Sequence, residues 1–212
     1  MDDARTWELI HGERAGLAAT LATLTADQWA QPSLCGGWSV QSAAGHVVAG
    51  AEQTAPAFFG GLAANGFRFN RMMDRNARRI GARPTAEIIE RLQARTTTTN
   101  KPPAPVRTVL GEIVVHSADI REPLGLEHGV DPEAVAACLE LYKGANFPVG
   151  TKARIAGLRL DASDVGWSHG EGPGVSGPGL ALLLAMTGRA AALDRLSGDG
   201  VATLRDRMTS AR

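Results

Sequence analysis

The stretch that decides the fold is VRTVLGEIVVHSAD, residues 106–119. At about 100° per residue, its aliphatic positions share one stripe of a helix, and Glu112, His116 and Asp119 line up beside that stripe. The segment therefore predicts a helix whose polar row is walled by aliphatic side chains. An unpaired carboxylate is costly in such surroundings, so we expect Glu112 to be paired, protonated or bound to a metal.

The polar row also contains a pair of metal-ligand residue types. Glu112 and His116 stand one helical turn apart, and His46 lies on another predicted helix that begins after Ser39. Metal sites in helical bundles take their ligands from facing helices. Two imidazoles and one carboxylate suit Zn²⁺ and leave a fourth position open for water or substrate. The spacing is equally compatible with a surface Glu–His pair and a hydrogen-bonded core histidine, so the metal site is one of two interpretations.

Hydrophobic periodicity outside this stretch predicts a helical N-terminal part. The predicted helices cover residues 3–24, 40 to a bend or end near 56, 65–80, 84 onward, and 106 to just before 123, with a loop over 96–105. A further helix starts at Asp131. We expect a helical bundle over residues 1–130.

The C-terminal part has a different pattern. Residues 158–162 alternate as a strand does, and 165–169 are its predicted hairpin partner. Two Gly-Pro-Gly segments, 171–174 and 176–179, predict turns, and helices are expected from Pro178 to Thr187 and after Gly200. Residues 131–212 are therefore predicted to form a small α+β domain.

Composition limits the classes of partner. The chain has 22 Lys plus Arg and 22 Asp plus Glu, so its formal charge of zero provides no field for nucleic acid. The N-terminus does not resemble a signal peptide, and the longest aliphatic stretch is too short to span a bilayer. We expect a cytoplasmic protein with no membrane partner, and nothing in the sequence indicates an oligomeric state. Cys35 and Cys138 are expected to be reduced thiols, Cys35 being either a small apolar residue or a group near the metal.

Three arginines share one face of the helix predicted over residues 65–80. Arg71, Arg75 and Arg78 carry guanidinium groups that suit the carboxylates of an acidic substrate or thiol. A solvated helix face with Asp74 interleaved is the alternative. We note these arginines as candidate cofactor-binding residues.

Two motifs together resemble a known family. LCGGWSVQSAAGH (34–46) and EIVVHSADIREPLG (112–125) are similar to those of the mycothiol-dependent maleylpyruvate isomerase family within the DinB-like superfamily. GPGLALLLAMTGR (177–189) looks like that family's C-terminal segment. The resemblance implies a mainly α fold, a DinB-like four-helix bundle with a small α+β C-terminal domain. It also implies metal ligands at His46, Glu112 and His116, and mycothiol as a thiol cosubstrate.

These observations lead to a functional hypothesis with two alternatives. The hypothesis is a metal-dependent transferase or isomerase, in which a divalent ion, for which Zn²⁺ is the first choice, activates mycothiol towards an electrophilic small molecule. Asp119 is the candidate catalytic residue, acting by orienting His116 or a neighbouring base. The alternatives are a non-catalytic metal- or ligand-binding module of the same fold, and a metal-assisted hydrolase with Asp119 as its base.

Overall fold

The computed structural model describes residues 1–209. By their contacts these residues form two compact units, one from Met1 to Gly129 and one that begins at Val130. The sequence-based division into a helical bundle, residues 1–130, and a small α+β domain, residues 131–212, stays a prediction. Among the described helices, none is both long enough and apolar enough to cross a membrane.

The first unit is helical throughout. Its α-helices are α1 (Asp3–Thr23), α2 (Ala26–Ala30), α3 (Val40–Glu52), α4 (Ala55–Ala64), α5 (Phe69–Gly81), α6 (Thr85–Gln93) and α7 (Val106–Arg121). Helix α7 continues into a short 3-10 turn, Glu122–Leu124. That turn ends at Gly125, whose φ of 65° is readily adopted only by glycine. The helices predicted around residues 3–24 and 106–122 are confirmed.

Four of these helices close into a bundle. Helix α1 packs on α7, α7 on α3, α3 on α6, and α6 on α1, while α5 packs on α3. The contact between α3 and α5 is close because both helices have glycine there. A Cβ on Gly45 would lie 2.5 Å from the Gly81 nitrogen, and one on Gly81 would lie 2.9 Å from the Ser42 Cα. The predicted four-helix bundle is thus confirmed, and α3 packs directly on α7.

Side-chain caps set where several helices begin. The Ser39 hydroxyl accepts a hydrogen bond from the Ser42 backbone N–H at 3.2 Å, which confirms the predicted start of α3. Pro84 immediately precedes α6 as its N-cap, so the helix predicted from residue 84 begins one residue later, at Thr85.

Two helices of this unit do not appear among the predictions. Helix α2 is only five residues long. Helix α4 is apolar on every side and has no buried residue, so it shows no amphipathic period. Pro56 lies in the first turn of α4 instead of merely ending α3. The helix predicted from residue 65 begins only at Phe69, because Phe67 has a φ of 59° and interrupts the helix.

The second unit combines helices with a small sheet. Its elements are α8 (Pro132–Tyr142), α9 (Thr151–Ile155), β1 (Arg159–Ala162), β2 (Trp167–His169), β3 (Gly174–Gly177), α10 (Gly179–Met186) and α11 (Val201–Thr209). The strand order is β2-β1-β3. Strand β1 pairs antiparallel with β2, as predicted, with Leu160 opposite His169. The small α+β C-terminal part is confirmed.

Strand β3 is absent from the predictions for this unit. Turns were expected at residues 171–174 and 176–179, and residues 171–173 do bend, but Gly174–Gly177 form strand β3, parallel to β1. The strand also pairs through Ser176 with Ser197 on its other side. A Cβ on Gly177 would lie 2.7 Å from the Arg195 carbonyl oxygen, so this strand needs glycine where its neighbour approaches. The turn-like composition therefore reflects close packing.

Candidate metal centre

The three predicted ligands come from two helices that pack directly on each other. His46 lies in the middle of α3, and Glu112 and His116 lie one turn apart on α7. The two histidines are buried, with 7% and 8% of their surface exposed. The Glu112 side chain is 44% exposed. The site is therefore covered on the imidazole side and open on the carboxylate side.

The two imidazoles converge on one carboxylate oxygen. His46 Nε2 lies 3.0 Å from Glu112 Oε2, and His116 Nε2 lies 3.5 Å from the same oxygen. The two rings meet edge to face, with their centroids 4.5 Å apart. Residues 66 positions apart in the sequence thus share one small site.

The size of this site suits a small divalent ion. Tetrahedral zinc with ligands at 2.0–2.1 Å keeps its ligand atoms about 3.3 Å from one another. The two distances to Glu112 Oε2, 3.0 and 3.5 Å, lie on either side of that value. One ligand atom each from His46, Glu112 and His116 falls within a common 4.8 Å. The donor set and its spacing therefore fit the ion that the sequence predicts.

Asp119 fixes the orientation of His116 from behind. Its side chain is 0% exposed, and Oδ2 lies 2.8 Å from His116 Nδ1. When Nδ1 donates this hydrogen bond, the lone pair of Nε2 faces Glu112, which is the arrangement a metal ligand needs. The carboxylate lies on the far side of the ring from Glu112. This geometry suits an orienting residue and does not suit a base that contacts substrate.

Burial and hydrogen bonds shift the pKa values of the three predicted ligands in different directions. Burial favours a higher pKa for Glu112, but the bonds from His116 and His46 hold that pKa well below its ordinary value. The effect of burial on the pKa of Glu112 is limited, because nearly half of the Glu112 side chain is exposed. Burial lowers the pKa of His46. Burial acts the same way on His116, yet the bonds to Asp119 and Glu112 raise its pKa to about 9. Without an ion, His116 thus keeps a proton at neutral pH.

Two further residues lie near the site. The Trp38 ring centroid lies 5.0 Å from that of His46 and 6.1 Å from that of His116. The Cys35 thiol falls within a 4.8 Å group with His116 and Asp119. It therefore lies on the Asp119 side of His116. The sequence signal for both was their position just before the cap of α3.

The predicted arginine face is only partly available for a ligand. Arg71, Arg75 and Arg78 are all exposed on α5. Arg78 Nε donates to both oxygens of Asp74 at 2.9 and 3.0 Å, and its Nη2 donates to the Gly37 carbonyl at 3.2 Å. Arg78 is thus bound within the protein. A cofactor-binding role for the three arginines stays a prediction.

Comparison with known proteins identifies a domain in the first unit. Residues 10–105 match the family model for the mycothiol maleylpyruvate isomerase N-terminal domain. The matched range includes His46 and ends shortly before Glu112 and His116. No curated protein matches the chain.

Two solved structures have a similar fold over almost the whole chain. They are the crystal structure of the mycothiol-dependent maleylpyruvate isomerase and that of a mutant of it. Each has a TM-score of 0.66 and 13% sequence identity, over 94% of this chain and 93% of the other. The resemblance drawn from the sequence motifs is therefore confirmed: this chain has the maleylpyruvate isomerase fold, and its residues 10–105 match the model of the mycothiol maleylpyruvate isomerase N-terminal domain.

Proposed function

We propose that the protein is a metal-dependent enzyme that uses mycothiol to modify an electrophilic small molecule. His46, Glu112 and His116 would hold the ion, with Zn²⁺ as the first candidate. The observation that carries this proposal is the convergence of two buried imidazoles on one oxygen of a half-exposed carboxylate. The family of residues 10–105 supports the choice of thiol. A thiol of this kind fits a reducing compartment, so we propose the cytoplasm as its location.

Three protein ligands leave one position of a tetrahedral ion open. The exposed part of Glu112 marks the side from which a small molecule reaches the site. When bound, a divalent ion supplies positive charge that lowers the pKa of a thiol at this position below its free value of about 8.5. The buried imidazoles keep water away from the opposite side. His116 is held in its binding orientation by Asp119 before any ligand arrives.

The chemistry we propose is addition of the thiol sulfur to a carbon–carbon double bond conjugated to a carbonyl. A C–S bond forms, and the π electrons of the double bond move to the carbonyl oxygen. Rotation about the resulting single bond, followed by loss of the sulfur with its electron pair, restores the double bond in the other geometry. If a proton instead adds to the neighbouring carbon, the product is a thioether. Isomerisation and S-transfer thus share one first step.

The two alternative functions are a metal-assisted hydrolase and a non-catalytic binding module. A hydrolase would use Asp119 as a base, yet this carboxylate is fully buried and bonded to His116. A non-catalytic binding module would have the same three ligands and is distinguished by the absence of turnover.

Turnover assays with a matched histidine variant test the proposal. Mycothiol and a panel of cis-configured conjugated carbonyl compounds are incubated with the protein, with and without a chelator. We expect product only when thiol and metal are both present, and none with His116→Ala. His128→Ala is the control, because His128 is another histidine of the same unit and its side chain is only 5% exposed. Product without thiol would favour the hydrolase, and bound metal without turnover on any compound would favour the binding module.

A further inference from the structure

The loop before α3 forms one wall of the metal centre and is shaped by its own hydrogen bonds. We call residues 32–39 the Trp38 loop. Its ends pair at Pro32 and Ser39. Inside it, the Ser33 backbone N–H and hydroxyl both donate to the Trp38 carbonyl, at 2.9 and 3.0 Å. Gly37 provides the turn with a φ of 82°. Trp38 is thus presented by a compact, internally bonded loop.

The Trp38 loop is also fastened to α7. The Leu34 backbone N–H donates to the carbonyl oxygen of Asp119 at 3.0 Å. Asp119 is the residue whose carboxylate bonds His116. The loop is therefore hydrogen-bonded to α7, the helix that contains two of the predicted ligands.

A second attachment connects the loop to α5. Trp38 Nε1–H donates to Asp74 Oδ1 at 2.9 Å, and Arg78 Nε donates to both oxygens of the same carboxylate. Arg78 Nη2 also donates to the Gly37 carbonyl. The hydrogen bonds from Arg78 and Trp38 lower the pKa of Asp74, so this carboxylate stays ionised at neutral pH. Asp74 and Arg78 together hold both the indole and the turn beside it.

Of the three residues in this attachment, Trp38 is the one that meets the predicted metal ligands, and it does so through its ring. Its ring lies against both ligand imidazoles, at 5.0 and 6.1 Å between centroids. His46 has no carboxylate of its own behind it, because its Nδ1 is buried without a hydrogen-bond partner in the described part of the chain. The Trp38 ring is therefore the side chain that restrains His46 where Asp119 restrains His116.

We propose that Asp74 and Arg78 are positioning residues, which hold the Trp38 indole against His46 and His116 and so set the geometry of the metal centre. The statement about catalysis rests on the function proposed above, whereas the statement about geometry does not. The pair is exposed, with 48% of the Asp74 side chain and 57% of the Arg78 side chain accessible. Exposed ion pairs contribute little to folding stability. Loss of this pair should therefore alter the centre while the protein stays folded.

Co²⁺ binding and tryptophan emission test the geometry without any assay of activity. Asp74→Ala removes the acceptor for Trp38, and Asp74→Asn keeps an acceptor while losing the charge. We expect Asp74→Ala to weaken Co²⁺ binding about 3- to 10-fold, below the 10–100-fold typical of groups bonded directly to a ligand. Asp74→Asn should recover part of that loss. Arg79→Gln, an exposed change on the same helix, is the control and should bind Co²⁺ as the unchanged protein does.

Emission of the metal-free protein reports the position of the indole. The contribution of Trp38 is the difference between each protein and its Trp38→Phe counterpart. We expect this contribution to shift to longer wavelength in Asp74→Ala and in Arg78→Gln, because the indole becomes more hydrated. Thermal unfolding should change little in either variant. A Trp38 contribution and a Co²⁺ affinity that both equal those of Arg79→Gln would overturn the proposal.

The turnover readout separates the failure of this proposal from that of the proposed function. If the protein is active, Asp74→Ala should lower kcat more than it raises KM, because a positioning residue acts through Trp38 and not by binding substrate. An equal kcat in Asp74→Ala and in the unchanged protein would contradict a positioning role. If no substrate is turned over, Co²⁺ affinity and Trp38 emission still decide whether the pair positions the centre.

Discussion

Two His–Glu pairs in the first unit have nearly the same length and different surroundings. His46 Nε2 lies 3.0 Å from Glu112, and His128 Nε2 lies 2.9 Å from Glu13. The Glu112 side chain is 44% exposed, whereas that of Glu13 is 10% exposed. A second imidazole reaches Glu112 and none is recorded at Glu13 within the described residues. Distance alone therefore does not distinguish a metal site from a structural pair.

The surroundings of Glu13 explain its structural role. Arg121 is buried, and its Nε and Nη2 donate to the Thr20 hydroxyl at 3.1 and 2.9 Å. Burial lowers the pKa of Arg121, and the charge of Glu13 opposes that shift. Glu13 thus stabilises a buried guanidinium in addition to bonding His128. The comparison predicts that converging imidazoles and access to solvent mark a ligand carboxylate, whereas a nearby buried cation marks a structural one.

The largest difference between the two pairs should appear when a histidine is removed. His116→Ala should reduce bound metal from one ion per chain to a trace, because two ligands do not hold the ion firmly. His128→Ala should keep the full complement and instead lose about 1–3 kcal/mol of unfolding free energy, since Glu13 is left with one partner fewer. Elemental analysis and denaturant unfolding measure the two effects. Full occupancy in the His116→Ala protein would contradict the assignment.

Neutralising the carboxylates gives the next largest contrast. Glu112→Gln replaces one carboxylate oxygen with an NH2 group and removes the negative charge beside both imidazoles, so we expect the affinity for Zn²⁺ to fall by more than the 10–100-fold typical of an outer partner. Glu13→Gln should leave that affinity unchanged. Competition with a chromophoric chelator measures both variants. Equal affinities would mean that Glu112 is no more a ligand than Glu13.

A change behind the site should have a smaller effect. Asp119→Asn keeps the shape of the side chain and removes its charge, so Zn²⁺ affinity should fall about 10–100-fold. In the metal-free protein, the pKa of His116 should drop below about 9, because Asp119 contributes to raising it. NMR titration of the imidazole checks this shift. An unchanged His116 titration would show that Asp119 does not act through this ring.

The smallest expected effect is a pH dependence of the metal-free protein. The pKa of His116 is raised from 6.5 to about 9 in the folded state. Its contribution to stability is therefore complete below pH 6.5 and is lost as the pH rises through about 9. Denaturant unfolding between these values should show this loss in the unchanged protein and not in His116→Ala. Parallel curves for the two proteins would contradict the raised pKa.

Much of this site follows from local sequence patterns. The stripe of aliphatic residues on α7 placed Glu112 and His116 on one row, and the Ser39 cap placed His46 inside α3. That these two helices share one metal site was implied by the family motifs, because residue spacing along the chain does not show which helices pack together. The close contact of α3 with α5 depends on Gly45 and Gly81, and the need for glycine there is visible only when the two backbones are seen to approach.

The features that were missed depend on tertiary contacts. Strand β3 has a turn-like sequence because Gly177 lies against Arg195, which is distant in the sequence. Helix α4 is uniformly apolar and so lacks the periodicity by which helices are recognised. Trp38 reaches the histidines because Asp74, from another helix, accepts its N–H. Local propensity contains no information about any of these partners.

X-ray absorption at the zinc edge of the zinc-loaded protein tests the central claim most directly. The account predicts one ion per chain, surrounded by two imidazole nitrogens and by oxygen at about 2.0–2.1 Å. Sulfur at about 2.3 Å would contradict it, because the ion would then be bound by a cysteine such as Cys35 instead of by the predicted set. A protein that takes up no zinc would contradict it as well.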